Sequence, residues 1–137
     1  EAYGSNKEYA FNLGDIENAE KLHVFESPID LLSYITIARM YDREWEQDAF
    51  LSLGGVSGAK SGTGIYKQLN RILSLGKNIE KVYLHLDNDE PGKNAAKQIV
   101  AQLKSKYNVI NAPPKAGKDY NERLKMILKH KRERNNR

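Results

Sequence analysis

Residues 81 to 92 read Lys-Val-Tyr-Leu-His-Leu-Asp-Asn-Asp-Glu-Pro-Gly, and this stretch decides the fold class of the chain. An apolar run ends in an acidic turn, and Pro91 marks the start of a helix. The residues that follow place apolar side chains at the i, i+3, i+4 spacing of an amphipathic helix, namely Ala95, Ala96, Ile99, Val100 and Leu103. A strand, a turn and a helix in this order form one unit of an α/β fold.

The same order of apolar run, turn and amphipathic stretch recurs on both sides of this segment. Strands are predicted at residues 22–26 and 49–53, each before a helix, and at residues 108–112 before a last helix. Strands that alternate with helices pair in parallel, so we expect a mostly parallel four-stranded sheet with helices on both faces. A short N-terminal strand or hairpin is expected in addition, around residues 9–13.

The 137 residues suit a single domain. We expect a lead-in over residues 1–20, an α/β domain over residues 21–128 and a basic tail over residues 129–137. The chain begins with Glu1 rather than Met, so we expect it to be a fragment of a longer protein.

Composition excludes several classes of protein. The chain has no cysteine, which excludes disulfides, thiol nucleophiles and cysteine zinc sites within it. Its apolar runs are far shorter than the roughly 20 residues of a membrane helix. We therefore expect no membrane partner and a cytoplasmic location.

Carboxylates stand where the predicted strands end. Glu26 closes the first strand and Asp87 the third, and Asp89 follows two residues later. Ligands of such folds bind at the carboxyl ends of the strands, where these side chains are expected to meet. Two carboxylates about 4 Å apart repel by roughly 4 kcal/mol at an effective dielectric of ~20, and Mg²⁺ ligation relieves this repulsion. The alternative is helix capping, for which only one of Asp87 and Asp89 is needed.

Five further residues are accessory candidates near the same edge: Asp30, Gly54, Gly55, Lys118 and Asp119. Lys118 is a candidate phosphate contact. For Asp119, capping of the last helix is favoured over metal ligation. The glycine-rich run over residues 54–64 lacks the spacing of a phosphate-binding P-loop. His85 is predicted to be packed rather than to bind a metal.

Positive charge is concentrated at the C-terminal end. Residues 124–137 hold six basic residues against one acid, whereas residues 1–123 sum to −1. The candidate nucleic-acid contacts of this tail are Lys129, Lys131, Arg132 and Arg134. Basic tails often contact phosphate backbones, and a solvated helix end is the equally weighted alternative.

Several motifs, in this order, resemble those of Toprim domains. Residues 24–30 resemble the first motif, and residues 84–92 resemble the Asp-x-Asp motif with its following glycine. Residues 51–55 fit the second strand and its glycine turn, and residues 114–124 resemble the tail motif of primase-type members. Together these matches cover about residues 22–124.

The resemblance implies a Mg²⁺-dependent site for phosphoryl transfer on nucleic acid, where Mn²⁺ can substitute. By this resemblance Glu26 is the general acid or base, and Asp87 and Asp89 hold the metal. The partners implied are DNA, expected to be single-stranded, and nucleotides, together with neighbouring domains of the parent protein.

The first motif departs from that of most primases. Ser27-Pro28 follows Glu26 where primases usually carry a glycine, and this version resembles Toprim-like domains of plasmid and mobile-element proteins. The favoured interpretation is the catalytic Toprim domain of a primase-like protein from such an element. A metal-dependent nuclease, a topoisomerase-type Toprim domain and a non-catalytic binding module remain as alternatives.

Overall fold

A computed structural model describes residues 11–54 and 67–135 of the chain. The strands are β1 (Asn12–Leu13), β2 (Lys21–Phe25), β3 (Ala49–Ser52), β4 (Lys81–Leu84) and β5 (Asn108–Asn111). The helices are α1 (Pro28–Met40), α2 (Lys67–Leu75), α3 (Glu90–Leu103) and α4 (Tyr120–Asn135).

These five strands form one sheet in the order β1-β3-β2-β4-β5. Strand β2 lies at the centre and pairs in parallel with β3 and β4, and β4 pairs in parallel with β5. Strand β1 pairs antiparallel with β3 at the edge. The predicted parallel four-stranded sheet with an added N-terminal strand is confirmed.

Side chains of the sheet alternate between two apolar layers. Helices α2 and α3 cover one face, whose core is aliphatic and includes Leu22, Val24, Leu51, Val82, Leu84, Leu69, Ile72 and Ile99. The other face is aromatic, with Phe25 and Phe50 packed against Leu31, Ile35, Tyr34 and Tyr120 of α1 and α4. Helices therefore lie on both faces, as predicted.

Short polar motifs start the helices at the carboxyl ends of the strands. The Ser27 hydroxyl accepts a hydrogen bond from the Asp30 amide, and Pro28 takes the first helical position, where no N–H is needed. Helix α4 continues to Asn135, so residues 129–135 of the expected tail extend a helix that packs against α1.

Candidate metal centre

Three carboxylates meet at the carboxyl ends of β2 and β4. One side-chain oxygen from each of Glu26, Asp87 and Asp89 lies within 4.8 Å of the others. The central pairing of β2 with β4 accounts for this meeting, since Glu26 directly follows β2 and the two aspartates follow β4. All three side chains are partly buried.

Of the three carboxylates, Asp87 is the one with a buried oxygen that lacks a hydrogen-bond partner among the described residues. Strand β4 ends at Leu84, earlier than the predicted end at Asp87, and the Asp87 amide bonds to the Glu26 carboxylate instead of to a strand carbonyl. The unpartnered oxygen of Asp87 is Oδ1. Burial, and then the negative charge of Glu26, raise the pKa of Asp87 to about 7.

This environment fits a divalent cation. A buried carboxylate oxygen without a partner calls for a ligand, and oxygen-rich clusters of carboxylates are what Mg²⁺ takes as ligands in proteins. A cation at this position would satisfy the Asp87 oxygen and offset the repulsion among the three acids.

Asp89, rather than Asp87, caps α3. Its Oδ1 atom accepts a hydrogen bond of 2.8 Å from the Gly92 amide. Its Oδ2 atom lies 3.8 Å from the Lys118 ammonium, in a largely exposed ion pair. Capping therefore occupies one oxygen, and the other lies near the Lys118 ammonium.

Glu26 is held by the backbone of the neighbouring turn. Its Oε2 atom accepts a hydrogen bond of 3.0 Å from the Asp87 amide. Burial raises the pKa of Glu26 and outweighs this hydrogen bond, which lowers it. The Oε1 atom has no hydrogen bond within residues 11–54 and 67–135, so it is available to a ligand or a proton.

A second group of acids shares Asp87. Oxygens of Asp30, Asp87 and Asp119 also lie within 4.8 Å of one another. Asp119 caps α4, as favoured above, because its Oδ1 atom accepts from the Glu122 amide at 2.8 Å. Both oxygens of Asp30 are bonded too, to the Ser27 hydroxyl and the Asn121 amide. These two acids thus serve the helix ends.

The family model described as Toprim-like matches residues 23–124, most of the chain. This chain belongs to the Toprim-like family. The match includes Glu26, Asp87 and Asp89, which together we call the acidic edge. This cluster therefore lies inside the region matched by the family model. No curated protein matches the sequence.

Two solved structures have a fold similar to this Toprim-like domain. The primase fragment of the bacteriophage T7 primase-helicase protein aligns with a TM-score of 0.54 and 26% identity over 85% of this chain and 42% of its own. A structure of the bacteriophage T7 lagging-strand DNA polymerase with primase domains bound to an RNA/DNA hybrid and dTTP aligns with a TM-score of 0.51 and 23% identity. That match covers 82% of this chain and 54% of the other, and it shows the fold alone. The Toprim-like domain thus spans about half, or less, of the chains it resembles.

Asn88 is a site residue that sequence reasoning missed. Its amide donates to the Lys118 carbonyl at 2.6 Å, and its side chain donates to the carbonyls of Pro114 and Gly117. Asn88 therefore joins the loop before α4 to the turn over residues 87–89, which we call the acidic turn. The sequence offered one weak signal, an amide side chain placed between two aspartates.

Gly92 is a second such residue, which the sequence marked only as the glycine of the Asp-x-Asp motif and not as part of the site. A Cβ atom there would collide with the carbonyl oxygen of Asp87 and would lie 2.9 Å from Glu26 Oε2. The available signal was a glycine in the first turn of a helix, where most other residues have a higher helix propensity.

The two remaining accessory candidates are the glycines that follow β3. Gly54 follows β3 with φ +74°, and its amide donates to the Ser52 hydroxyl, which is 3.5 Å from the Glu26 carbonyl. Gly55 and the rest of the glycine-rich run fall outside the described residues.

His85 is buried, as predicted, directly after β4. Within the described ranges, no helix is both long and apolar enough to cross a membrane.

Proposed function

We propose that this Toprim-like domain carries out Mg²⁺-dependent phosphoryl transfer on nucleic acid, as the catalytic domain of a primase-like protein. The observation that carries this proposal is the meeting of Glu26, Asp87 and Asp89 within 4.8 Å, with one Asp87 oxygen buried and unpartnered. The 26% identity to a primase fragment supports the primase-like class.

The three acids have different roles in this proposal. Asp87 and Asp89 hold Mg²⁺, or Mn²⁺ in its place, and Asp89 contributes the Oδ2 atom that does not cap α3. A metal bound there supplies charge neutralisation at the phosphate oxygens. Glu26 handles the proton of the attacking or leaving oxygen, because its Oε2 atom is anchored, its Oε1 atom is open and its pKa is raised by burial.

The proposed substrates are single-stranded DNA and nucleotides. Lys118, whose ammonium lies 3.8 Å from Asp89, is proposed to bind a phosphate. Of the four basic candidates on α4, Lys131 and Arg134 are proposed to contact the nucleic-acid backbone. Neighbouring domains of the parent protein would complete substrate binding. The Glu26-Ser27-Pro28 version of the first motif is why we favour a parent protein from a plasmid or mobile element.

The first experiment is a calorimetric titration of the protein with Mg²⁺ and Mn²⁺, beside the Asp87→Asn variant. We expect the variant to lose metal binding while its metal-free stability stays equal or rises, since the substitution removes like-charge repulsion. At ten times the dissociation constant, the metal should add about 1.4 kcal/mol, which raises the unfolding midpoint of the wild type by about 4 °C. Glu20→Gln, an exposed acid on the opposite edge, is the control and should bind as the wild type does.

Metal affinity that is unchanged in Asp87→Asn would refute the metal site.

A second experiment measures turnover in the parent protein with Glu26→Gln, which should retain the metal and lose activity. Wild-type turnover in that variant would exclude the proton-transfer role. Nucleotide joining on a template and cleavage of the strand are assayed in parallel, because a nuclease would use the same acids to activate water.

A further inference from the structure

A groove runs along the seam between α1 and α4, on the outer side of the aromatic layer. It consists of two cavities of about 510 and 140 Å³ that share Tyr41, Arg123 and Ile127. We call it the α1–α4 groove and define it by six of its lining residues: Tyr41, Arg43, Lys115, Arg123, Lys131 and Arg134.

The groove is strongly basic. Five of the fourteen residues that line the two cavities are Arg or Lys, and none of these fourteen is Asp or Glu. Within the described ranges, none of the five cations forms an ion pair with a carboxylate. Unpaired cations in a concave surface concentrate positive potential there, which attracts anionic ligands.

An aromatic ring lies in the middle of these charges. Tyr41 is 48% exposed, and the Arg43 guanidinium and the Lys131 ammonium lie 5.7 and 5.9 Å from its ring centroid. The turn that ends α1 explains the position of Arg43. Asp42 has φ +54°, and the Arg43 amide donates back to the Ala38 carbonyl at 2.8 Å.

One end of the groove adjoins the acidic edge. Helices α1 and α4 run in the same direction, since Ser33 is bonded to Asn121 at one end and Lys131 lies over Tyr41 at the other. Lys115 comes from the loop that Asn88 ties to the acidic turn. From Arg123 to Arg134 the helix advances about 16 Å, which is enough to follow several consecutive phosphates of a strand.

We infer that the α1–α4 groove binds single-stranded nucleic acid and leads it toward or away from the acidic edge; this inference rests on the proposed function. Positive grooves with aromatic side chains are how proteins hold single strands, because phosphates meet the cations while bases stack on the rings. Lys131 has a flexible stem, so its ammonium can leave the ring for a phosphate while a base stacks on Tyr41. A duplex keeps its bases stacked inside and offers none to this ring.

The basic residues of α4 provide a matched control. Lys131 and Arg134 line the groove, whereas Lys129 and Arg132 are exposed on the same helix and do not. The double variants Lys131→Gln/Arg134→Gln and Lys129→Gln/Arg132→Gln therefore remove equal charge from the same element, one inside the groove and one outside it.

The test measures binding of an unstructured oligodeoxynucleotide at several salt concentrations by fluorescence anisotropy. Each protein also carries Asp87→Asn and the buffer contains EDTA, so metal chemistry at the acidic edge does not contribute. We expect the groove double variant to weaken binding at least tenfold. Its salt slope should fall by about 1.4, since each phosphate that a cation neutralises on a single strand accounts for about 0.7. Tyr41→Ala should weaken binding about tenfold with an unchanged salt slope, because stacking is not ionic.

Equal losses of affinity in the two double variants would overturn the inference, since they would show general attraction to a charged helix. Binding of poly-glutamate or of anionic vesicles through Tyr41 and Lys131, without binding of the oligonucleotide, would also overturn it. Because EDTA is present throughout, a failure here is distinct from a failure of the proposed metal site, which the calorimetric titration addresses.

Discussion

Asp87 and Asp89 are two residues apart and have the same side chain, but the structure gives them different surroundings. Asp89 receives a backbone N–H at the start of α3 and lies near Lys118. Asp87 has a buried oxygen without a partner among the described residues and a pKa raised to about 7. Of the two, Asp87 is therefore the one with an oxygen that the proposed cation would satisfy.

Gly92 is predicted to be required for the stability of the protein. Alanine is favoured over glycine inside a helix by about 1 kcal/mol, so Gly92→Ala should stabilise α3 if propensity alone mattered. We expect it instead to lower the free energy of unfolding by about 1–3 kcal/mol, because the new Cβ meets the Asp87 carbonyl and approaches Glu26. Urea unfolding measures this effect.

Lys93→Ala, at the exposed next position of α3, is the control for Gly92→Ala and should change stability by less than about 0.5 kcal/mol. A Gly92→Ala protein at least as stable as the wild type would contradict the close approach of α3 to the acidic turn.

At the scale of elements, one buried carboxylate joins the N-termini of α1 and α4. Asp30 is 3% exposed. Its Oδ2 atom accepts from the Ser27 hydroxyl at 2.8 Å, and its Oδ1 atom accepts from the Asn121 amide at 3.0 Å. The first bond is local to α1, whereas the second crosses to a helix about 90 residues later in the chain.

The substitutions Asp30→Ala and Ser27→Ala should separate these two functions. Ser27→Ala removes the cap of α1 and should cost about 1 kcal/mol. Asp30→Ala keeps that cap, because the backbone N–H of residue 30 remains, but it leaves the Asn121 N–H without its partner and should cost about 1–3 kcal/mol. Unfolding in urea gives both values.

Amide hydrogen exchange at Asn121 provides the independent reading. Exchange there should accelerate in Asp30→Ala and stay near the wild-type rate in Ser27→Ala. Equal reductions in stability together with equal exchange rates would show that the crossing bond adds nothing.

At the scale of the whole molecule, a buried chain of hydrogen bonds crosses the sheet. The Ala112 carbonyl lies 2.8 Å from His85 Nδ1, His85 Nε2 lies 2.8 Å from His23 Nδ1, and His23 Nε2 lies 2.8 Å from Asp48 Oδ2. A carbonyl can only accept, so His85 Nδ1 carries hydrogen and its Nε2 accepts from His23. The last contact joins this pair of histidines to the Asp48 carboxylate before β3.

This chain makes one contribution to the pH dependence of stability. Burial, and then the charge of His23, lower the pKa of His85 from 6.5 to about 3. Between these values the unfolded chain binds a proton at His85 that the folded chain does not. The His85 contribution to the free energy of unfolding should therefore fall as the pH falls from 6.5 toward 3, by about 1 kcal/mol per pH unit. The raised pKa of Asp87 contributes in the opposite sense between pH 7 and 3.8, so the His85 contribution is measured as a difference between variants.

As the pH falls, the stability of the variant His85→Phe should rise relative to that of the wild type, whereas His130→Gln, at an exposed histidine of α4, should keep the wild-type profile. Thermal unfolding followed at pH values between 4 and 7 gives the profiles. Parallel profiles for the wild type and His85→Phe would contradict a neutral, buried His85.

Much of the fold was predictable because its signals are local. The apolar runs, the Pro91 helix start and the helical spacing of Ala95 to Leu103 act within a few residues of one another. The carboxylates at the strand ends were visible for the same reason. The shorter β4 and the extension of α4 to Asn135 were not visible, because packing and turn geometry set them.

By itself, the sequence determined the alternation of strands and helices, the strand ends at which acids stand, and the family motifs. Only the tertiary structure decided that β2 lies beside β4, that Asp89 caps α3 while Asp87 keeps an unpartnered oxygen, and that Asn88 and Gly92 shape the site. It also separated the basic residues of α4 into those inside the α1–α4 groove and those outside. The reason is physical: hydrophobic periodicity and capping act along the chain, whereas burial, carboxylate repulsion and groove shape arise between segments far apart in sequence.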